Sequence, residues 1–210
     1  MKQTGPTLAD GRHLFGEQLD AYLCHRPGYP QALWQLLDDY GQQHDRPAGP
    51  RFEIGPGTGL ATAHLLQRDQ PLHAIEPDRQ LAAHLQQRFA GAIAEGRLQL
   101  LPQPFEALPD PAQRYAAGYA ATSFHWLSAA PALAQVRRWL RGGGVWAMWW
   151  NIFGDPRQPD AWARASADLF APLAGHPSRI GGLPHALDVP ARLAELRARF
   201  PGVPLFTTAY

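Results

Sequence analysis

The stretch RFEIGPGTGLATAHLL (residues 51–66) runs from a short apolar segment carrying Glu53 into Gly55, Gly57 and Gly59, then into a helical pattern. A glycine turn between a strand and a helix lets the backbone reverse sharply and lets a ligand approach the helix N-terminus closely. Three ligand classes use such a turn: nucleoside triphosphates, dinucleotides and other adenosyl compounds. A triphosphate loop ends in Gly-Lys-Ser/Thr, whereas Leu60 follows Gly59 here, which excludes it. A dinucleotide turn reads Gly-x-Gly-x-x-Gly. Counted from Gly55 and Gly57, its third glycine would fall where Leu60 stands; the spacing is instead Gly-x-Gly-x-Gly.

Two acids sharpen the reading. Glu53 lies two residues before the first glycine, at the end of an expected buried strand. A carboxylate there is costly unless it serves a ligand or a set of donors. Glu76, in LHAIEPD, stands seventeen positions after Gly59 at the end of the next expected strand. A strand-end carboxylate at that place can accept both hydroxyls of a ribose.

Composition narrows the field. The 210 residues suit one domain with a well-buried core. Nineteen Lys+Arg against 18 Asp+Glu leave a net charge of +1, and no basic run or RNA-binding signature points to nucleic acid. The single Cys24 excludes an internal disulfide framework and fits a reducing, cytoplasmic setting. No long apolar segment predicts a membrane span or signal peptide. The nine His are scattered without zinc-site spacing, so no metal is expected.

Outward from the glycine turn, strand and helix signals alternate. RFEI precedes a helix at about 59–68, and LHAI precedes DRQLAAHLQQRFA, with Asp78 as N-cap. RLQLL leads into a proline-rich loop. YAAGYAA, a weak strand because Gly118 and its alanines dilute β propensity, precedes SAAPALAQVRRWL, and GGGVWAMWW follows. Such alternation predicts a parallel sheet covered by helices on both faces. Before it, residues 1–12 read as a loose tail and 15–45 as two short helices broken at Pro27, Gly28 and Pro30. After Asn151 the rhythm changes: residues 152–200 read as a helical cap inserted in the same domain, and 203–210 as a last strand.

The ordered segments EIGPGTG, IEPD, FEALP, TSFHWL and LRGGG resemble successive motifs of class I S-adenosylmethionine-dependent methyltransferases, over residues 15–151. The earlier F…AY…RPGYP is similar to the N-terminal helix of a small-molecule branch containing trans-aconitate-methyltransferase-like proteins. The resemblance implies a Rossmann-like, doubly wound α/β domain with an N-terminal helical lid. Its cofactor would be S-adenosyl-L-methionine and its partner a small-molecule methyl acceptor, on a monomer or weak homodimer. Gly55, Gly57 and Gly59 would wrap the methionine part of the cofactor, Glu53 would support its amino group, and Glu76 would hold the ribose. Phe105 and Glu106 would sit at the adenine. Thr122, Ser123 and His125 would face the reactive methyl, Arg26 would grip the cofactor carboxylate, and Tyr22 and Tyr29 would close over the site.

The chain also departs from the family pattern. Ala116 replaces an acid usual near the start of the fourth strand. VPLFTTAY supplies one member of the expected final antiparallel pair, leaving that pair incomplete and the fifth strand with an exposed edge. These departures keep a non-catalytic cofactor-binding protein as the main rival reading, with an NAD(P)-dependent dehydrogenase behind it. A sulfonium methyl is already activated, so in-line displacement needs chiefly positioning. His125 is then either a general base or a structural histidine beside Trp126. Alternation in VWAMWWN puts Trp146, Met148 and Trp150 on one face and Val145, Ala147 and Trp149 on the other, both expected in the core. Asn151 at that strand's end is either a site residue or a turn residue.

Overall fold

A computed structural model describes residues 27–44, 46–152, 155, 157–170, 179–180, 183–205 and 207–208. After α1 (Gln31–Gln43), the chain alternates β1 (Arg51–Ile54), α2 (Leu60–Leu65), β2 (Leu72–Ile75), α3 (Arg79–Arg88), α4 (Ala90–Ala94), β3 (Leu98–Leu101), β4 (Tyr115–Ala121), α5 (Ala129–Trp139) and β5 (Leu140–Trp149). Short helices α6 (Ala161–Ala165) and α7 (Ala167–Phe170), a two-residue ladder of β6 (Arg179–Ile180) with β7 (Leu183–Pro184), and α8 (Val189–Arg199) complete it.

The five main strands are all parallel, in the order β3-β2-β1-β4-β5. The order reverses between β1 and β4, and their carboxyl ends therefore frame the crevice where open α/β sheets bind ligands. Strand alternation sends side chains to two cores. Trp34 of α1 and Leu65 of α2 pack with Leu72, Ala74, Ala117, Tyr119 and Trp149 on one face. On the other face, Leu133, Val136 and Trp139 of α5 pack with Phe52, Ile54 and Ile75. Val145, Ala147 and Trp149 join the first core, and Trp146, Met148 and Trp150 the second, as the alternation predicts.

YAAGYAA forms a fully buried central strand despite its composition. Gly118 is paired with Phe52 on one side and Trp146 on the other. Those two rings stack across it, 6.0 Å apart and 20° from parallel. A Cβ on Gly118 would lie 2.2 Å from the Phe52 ring. The small residues that weaken the strand's propensity are what its neighbours' bulk requires.

Local signals also act as read. Asp78 caps α3, its Oδ1 accepting from the amides of Gln80 at 2.8 Å and Leu81 at 3.0 Å. Asp78→Ala is expected to lower stability by about 1 kcal/mol, measured by urea denaturation. The α2 helix is shorter than the expected 59–68, because Leu66 to Gln70 turn back toward β2. There the buried Arg51 donates to the carbonyls of Leu65 (2.9 Å) and Gln70 (2.6 Å).

Beyond β5 the described residues differ from expectation. Residues 203–205, 207 and 208, within the stretch read as a last strand, belong to no strand. Among the described residues β5 pairs with β4 only. Leu196 of α8 and the Phe200 that follows it, in the stretch read as a cap, pack against the α5 core, and Arg137 donates to the Arg199 carbonyl at 2.8 Å. Ala116, standing where an acid was expected, is buried and its amide donates to the Pro50 carbonyl at 2.8 Å. No helix among the described residues is long and apolar enough to cross a membrane, and no cluster of three potential metal ligands occurs among them.

Candidate active site

The glycine turn leaves β1 with three left-handed residues: Gly55 (φ 63°), Gly57 (φ 60°) and Gly59 (φ 82°). Side chains rarely adopt that conformation. At two of these positions space forbids one as well. A Cβ on Gly55 would meet the Ser123 Cβ at 2.6 Å, and one on Gly59 would meet the Phe89 ring at 2.5 Å. The turn is held from outside by Arg88, whose Nη1 donates to the Thr58 carbonyl at 2.6 Å.

Both acids lie beneath this turn. Glu53 is fully buried; its Oε2 accepts from the Thr62 hydroxyl at 2.7 Å, while its Oε1 is buried without a hydrogen-bond partner. Burial pushes its carboxyl up to about 7, with the Thr62 bond pulling back and the Glu76 charge adding to the rise. Glu76 is also buried, and two amides fix it: Gly57 donates to Oε2 and Asp78 to Oε1, each at 3.0 Å. Its carboxyl too is pushed up to about 7 by burial, against the pull of those amides and with a further rise from Asp78. The Gly57 bond ties the first turn of the loop to the end of β2, so loop and acid form one rigid unit.

An unpartnered buried carboxylate oxygen is costly in a finished protein. At the switch point of a parallel sheet, under a turn of left-handed glycines, it fits a ligand that brings a cationic or N–H donor. Glu76 retains acceptor capacity beyond its two amide bonds, since a carboxylate offers about four lone-pair sites.

At the end of β4, Thr122 takes φ 56°, the one left-handed non-glycine among the described residues. Its amide donates to the Trp149 carbonyl at 2.7 Å, and its hydroxyl lies 3.1 Å from that of Tyr29. The buried Ser123 hydroxyl donates to the Ile54 carbonyl. His125 lies beyond it in a short 3-10 turn (Phe124–Trp126), where its Nδ1 accepts from the Trp150 indole N–H at 3.1 Å. Indole nitrogen can only donate, so in this arrangement the His125 ring proton sits on Nε2.

The sequence-predicted residues divide accordingly. Glu53, Gly55, Gly57, Gly59, Glu76, Thr122 and Ser123 converge on the switch point. Phe105 does not present its ring there: it is 2% exposed, packed edge-on against Trp139 at 4.9 Å, and its carbonyl accepts from Gln135 Nε2 at 2.8 Å. Phe105 opens the 3-10 turn Phe105–Ala107 that packs against α5, which buries its ring and leaves the adjoining Glu106 and Ala107 exposed. Arg26 and Tyr22 lie outside the described residues. Thr62 and Arg88 escaped the sequence reading. Thr62 stands nine residues after Glu53 and gave a faint signal as the first polar side chain of the helix; Arg88 gave none.

The fold and this site define a Rossmann-like domain built around a left-handed glycine turn at the switch point of its sheet. Residues 52–144 match a family model described as a methyltransferase domain. The chain is thus similar to that family over its core segment. Over 140 residues it is 30% identical to an uncharacterized methyltransferase of Mycobacterium bovis, an alignment covering 65% of this chain and 51% of that protein. The chain thus spans about half the length of that relative. In structure it is similar to the CcbJ methyltransferase of Streptomyces caelestis, with a TM-score of 0.51, 21% identity, and coverage of 65% of this chain and 57% of that one. It is similar also to an S-adenosylmethionine-dependent methyltransferase of Clostridium acetobutylicum, with a TM-score of 0.52, 13% identity, and coverage of 64% and 56%.

Proposed function

We propose that the chain binds S-adenosyl-L-methionine and transfers its methyl group to a small-molecule acceptor. The observation that carries this reading is the buried, unpartnered Glu53 Oε1 beneath the glycine turn, paired with Glu76 at the end of β2. When bound, the cofactor supplies an activated sulfonium methyl. The chain's own work is to bind and orient. Glu53 receives the cofactor's ammonium group, the amides of the glycine turn line its methionine part, and Glu76, fixed by Gly57 and Asp78, receives the ribose hydroxyls. Thr122 and Ser123, at the end of β4, border the acceptor side.

His125 acts in this reading as a positioning group and not as a base. Its Nδ1 lone pair is occupied by Trp150, and the proton on Nε2 makes that nitrogen a donor. An acceptor that is already nucleophilic, such as a carboxylate or a neutral amine, suits a site without a base. The resemblance to trans-aconitate-methyltransferase-like proteins supports a carboxylate acceptor within that choice.

Calorimetry with S-adenosylhomocysteine, NAD and ATP tests the cofactor. Micromolar binding of the first alone is expected, and its failure to bind would overturn the proposal. Transfer of label from methyl-labelled cofactor into a pool of small metabolites tests catalysis. Binding without any labelled product would favour a non-catalytic cofactor-binding protein.

A further inference from the structure

We propose that Tyr29 and Asn151 are positioning residues: they fasten residues 27–30 across the carboxyl ends of β4 and β5 and, through Thr122 and Ser123, set the shape of the glycine turn. The bearing of this clasp on cofactor affinity rests on the function proposed above; the clasp itself does not.

The attachment is made at two places. The Asn151 side-chain amide lies 3.3 Å from the Pro27 carbonyl and 3.2 Å from that of Gly28, within reach of both. The Tyr29 ring stands edge-on to Trp34 (5.9 Å) and Trp149 (5.7 Å), and its hydroxyl reaches Thr122. Trp34 is buried in α1, so the aromatic contacts join the helix, the segment and β5 into one body.

Thr122 is where this body meets the site. A β-branched residue at φ 56° is a genuine outlier, and such conformations persist only where the surroundings over-determine them. Here the determinants are the Trp149 carbonyl, which takes the Thr122 amide, and the Tyr29 hydroxyl, which engages the side chain. The next residue, Ser123, bonds the Ile54 carbonyl, and its Cβ fills the space left by the missing side chain of Gly55. A relaxation of Thr122 therefore reaches Ile54 and Gly55 through direct contact. Contiguity alone does not establish energetic coupling, so the test measures it.

Hydrogen exchange on the ligand-free protein reads the turn directly, for wild type, Tyr29→Phe, Thr122→Val, Asn151→Ala and the double variant Tyr29→Phe/Thr122→Val. Loss of one neutral hydrogen bond predicts a rise of about 3- to 10-fold in exchange at the Gly55 and Gly57 amides, with β3 unaffected. Because the two side chains share one bond, the double variant should exchange no faster than either single variant. Asn151→Ala should raise exchange at the same amides by releasing the segment's other attachment. Affinity for S-adenosylhomocysteine should weaken by a similar factor. Unchanged exchange at the turn in Tyr29→Phe, or effects that simply add in the double variant, would overturn the clasp. If the wild type bound no S-adenosylhomocysteine, the proposed function would fall while the exchange data still decided the clasp.

Discussion

Gly118→Val is expected to destabilise the protein by about 3 kcal/mol or more, at the upper end of what overpacking a well-filled core costs. The reason is geometric. Gly118 is flanked in register by Phe52 and Trp146, whose rings close over it. The first carbon of any side chain would sit 2.2 Å from the Phe52 Cζ and 2.4 Å from Cε1. Neither ring can withdraw easily. Phe52 is fully buried and packs also against Phe105, Tyr115 and Trp139. Urea denaturation measures the loss. A second comparison identifies its cause: Phe52→Leu destabilises wild type by opening a cavity, but in a Gly118→Ala background it should cost less or even restore stability. Additive effects of the two substitutions, or a loss below about 1 kcal/mol for Gly118→Val, would refute the packing account.

That position also shows why part of the fold was harder to read than the rest. Propensity treats YAAGYAA as a poor strand, because propensity reports how side chains suit an average pleated surface. This surface is not average: two aromatic rings from the neighbouring strands occupy the volume that side chains on β4 would fill, a relation set by register and invisible within the segment. The glycine turn was legible because its determinants are local. Left-handed backbone at Gly55, Gly57 and Gly59, and the cap at Asp78, are dictated within a few residues.

Where local pattern gave no answer, the partner that places a side chain lies far along the chain. Phe105 was expected at a ligand, yet Gln135 and Trp139, some thirty residues later, draw its turn into the core. His125 likewise finds its partner at a distance: its Nδ1 accepts from the indole N–H of Trp150, twenty-five residues on. Asn151, just past the end of β5, has its side-chain amide within reach of the Pro27 and Gly28 carbonyls, more than a hundred residues earlier. Residues 203–210 read as a last strand, but a strand needs a ladder, and the described residues there have none.

The two buried carboxyls predict a stability that moves with pH in an unusual direction. In the unfolded chain Glu53 and Glu76 titrate near 4.5; in the fold burial holds both at about 7. Between those values the folded state binds more protons than the unfolded state, so stability falls as pH rises from about 4.5 to 7 and then levels off. Each group contributes on the order of 3 kcal/mol to that fall. His64 and His73, both lowered by burial, act oppositely: they must charge on unfolding as pH drops below about 6.5. The carboxyl contribution is therefore isolated by difference, comparing wild type with Glu53→Gln by urea denaturation at pH 5 and pH 8. The gap should move in favour of the glutamine variant by on the order of 3 kcal/mol as pH rises; a gap independent of pH would sink the assignment. Ligand binding should reverse the sign. A cofactor ammonium beside Glu53 stabilises the ionised carboxylate, so affinity for S-adenosylhomocysteine should tighten from pH 6 to pH 8 in wild type and stay nearly flat in Glu53→Gln. Glu76→Ala should weaken that affinity about 100-fold, the scale of two hydrogen bonds to a charged acceptor. On the proposed function, the burial that raises both carboxyls is the same feature that a cation at Glu53 would relieve.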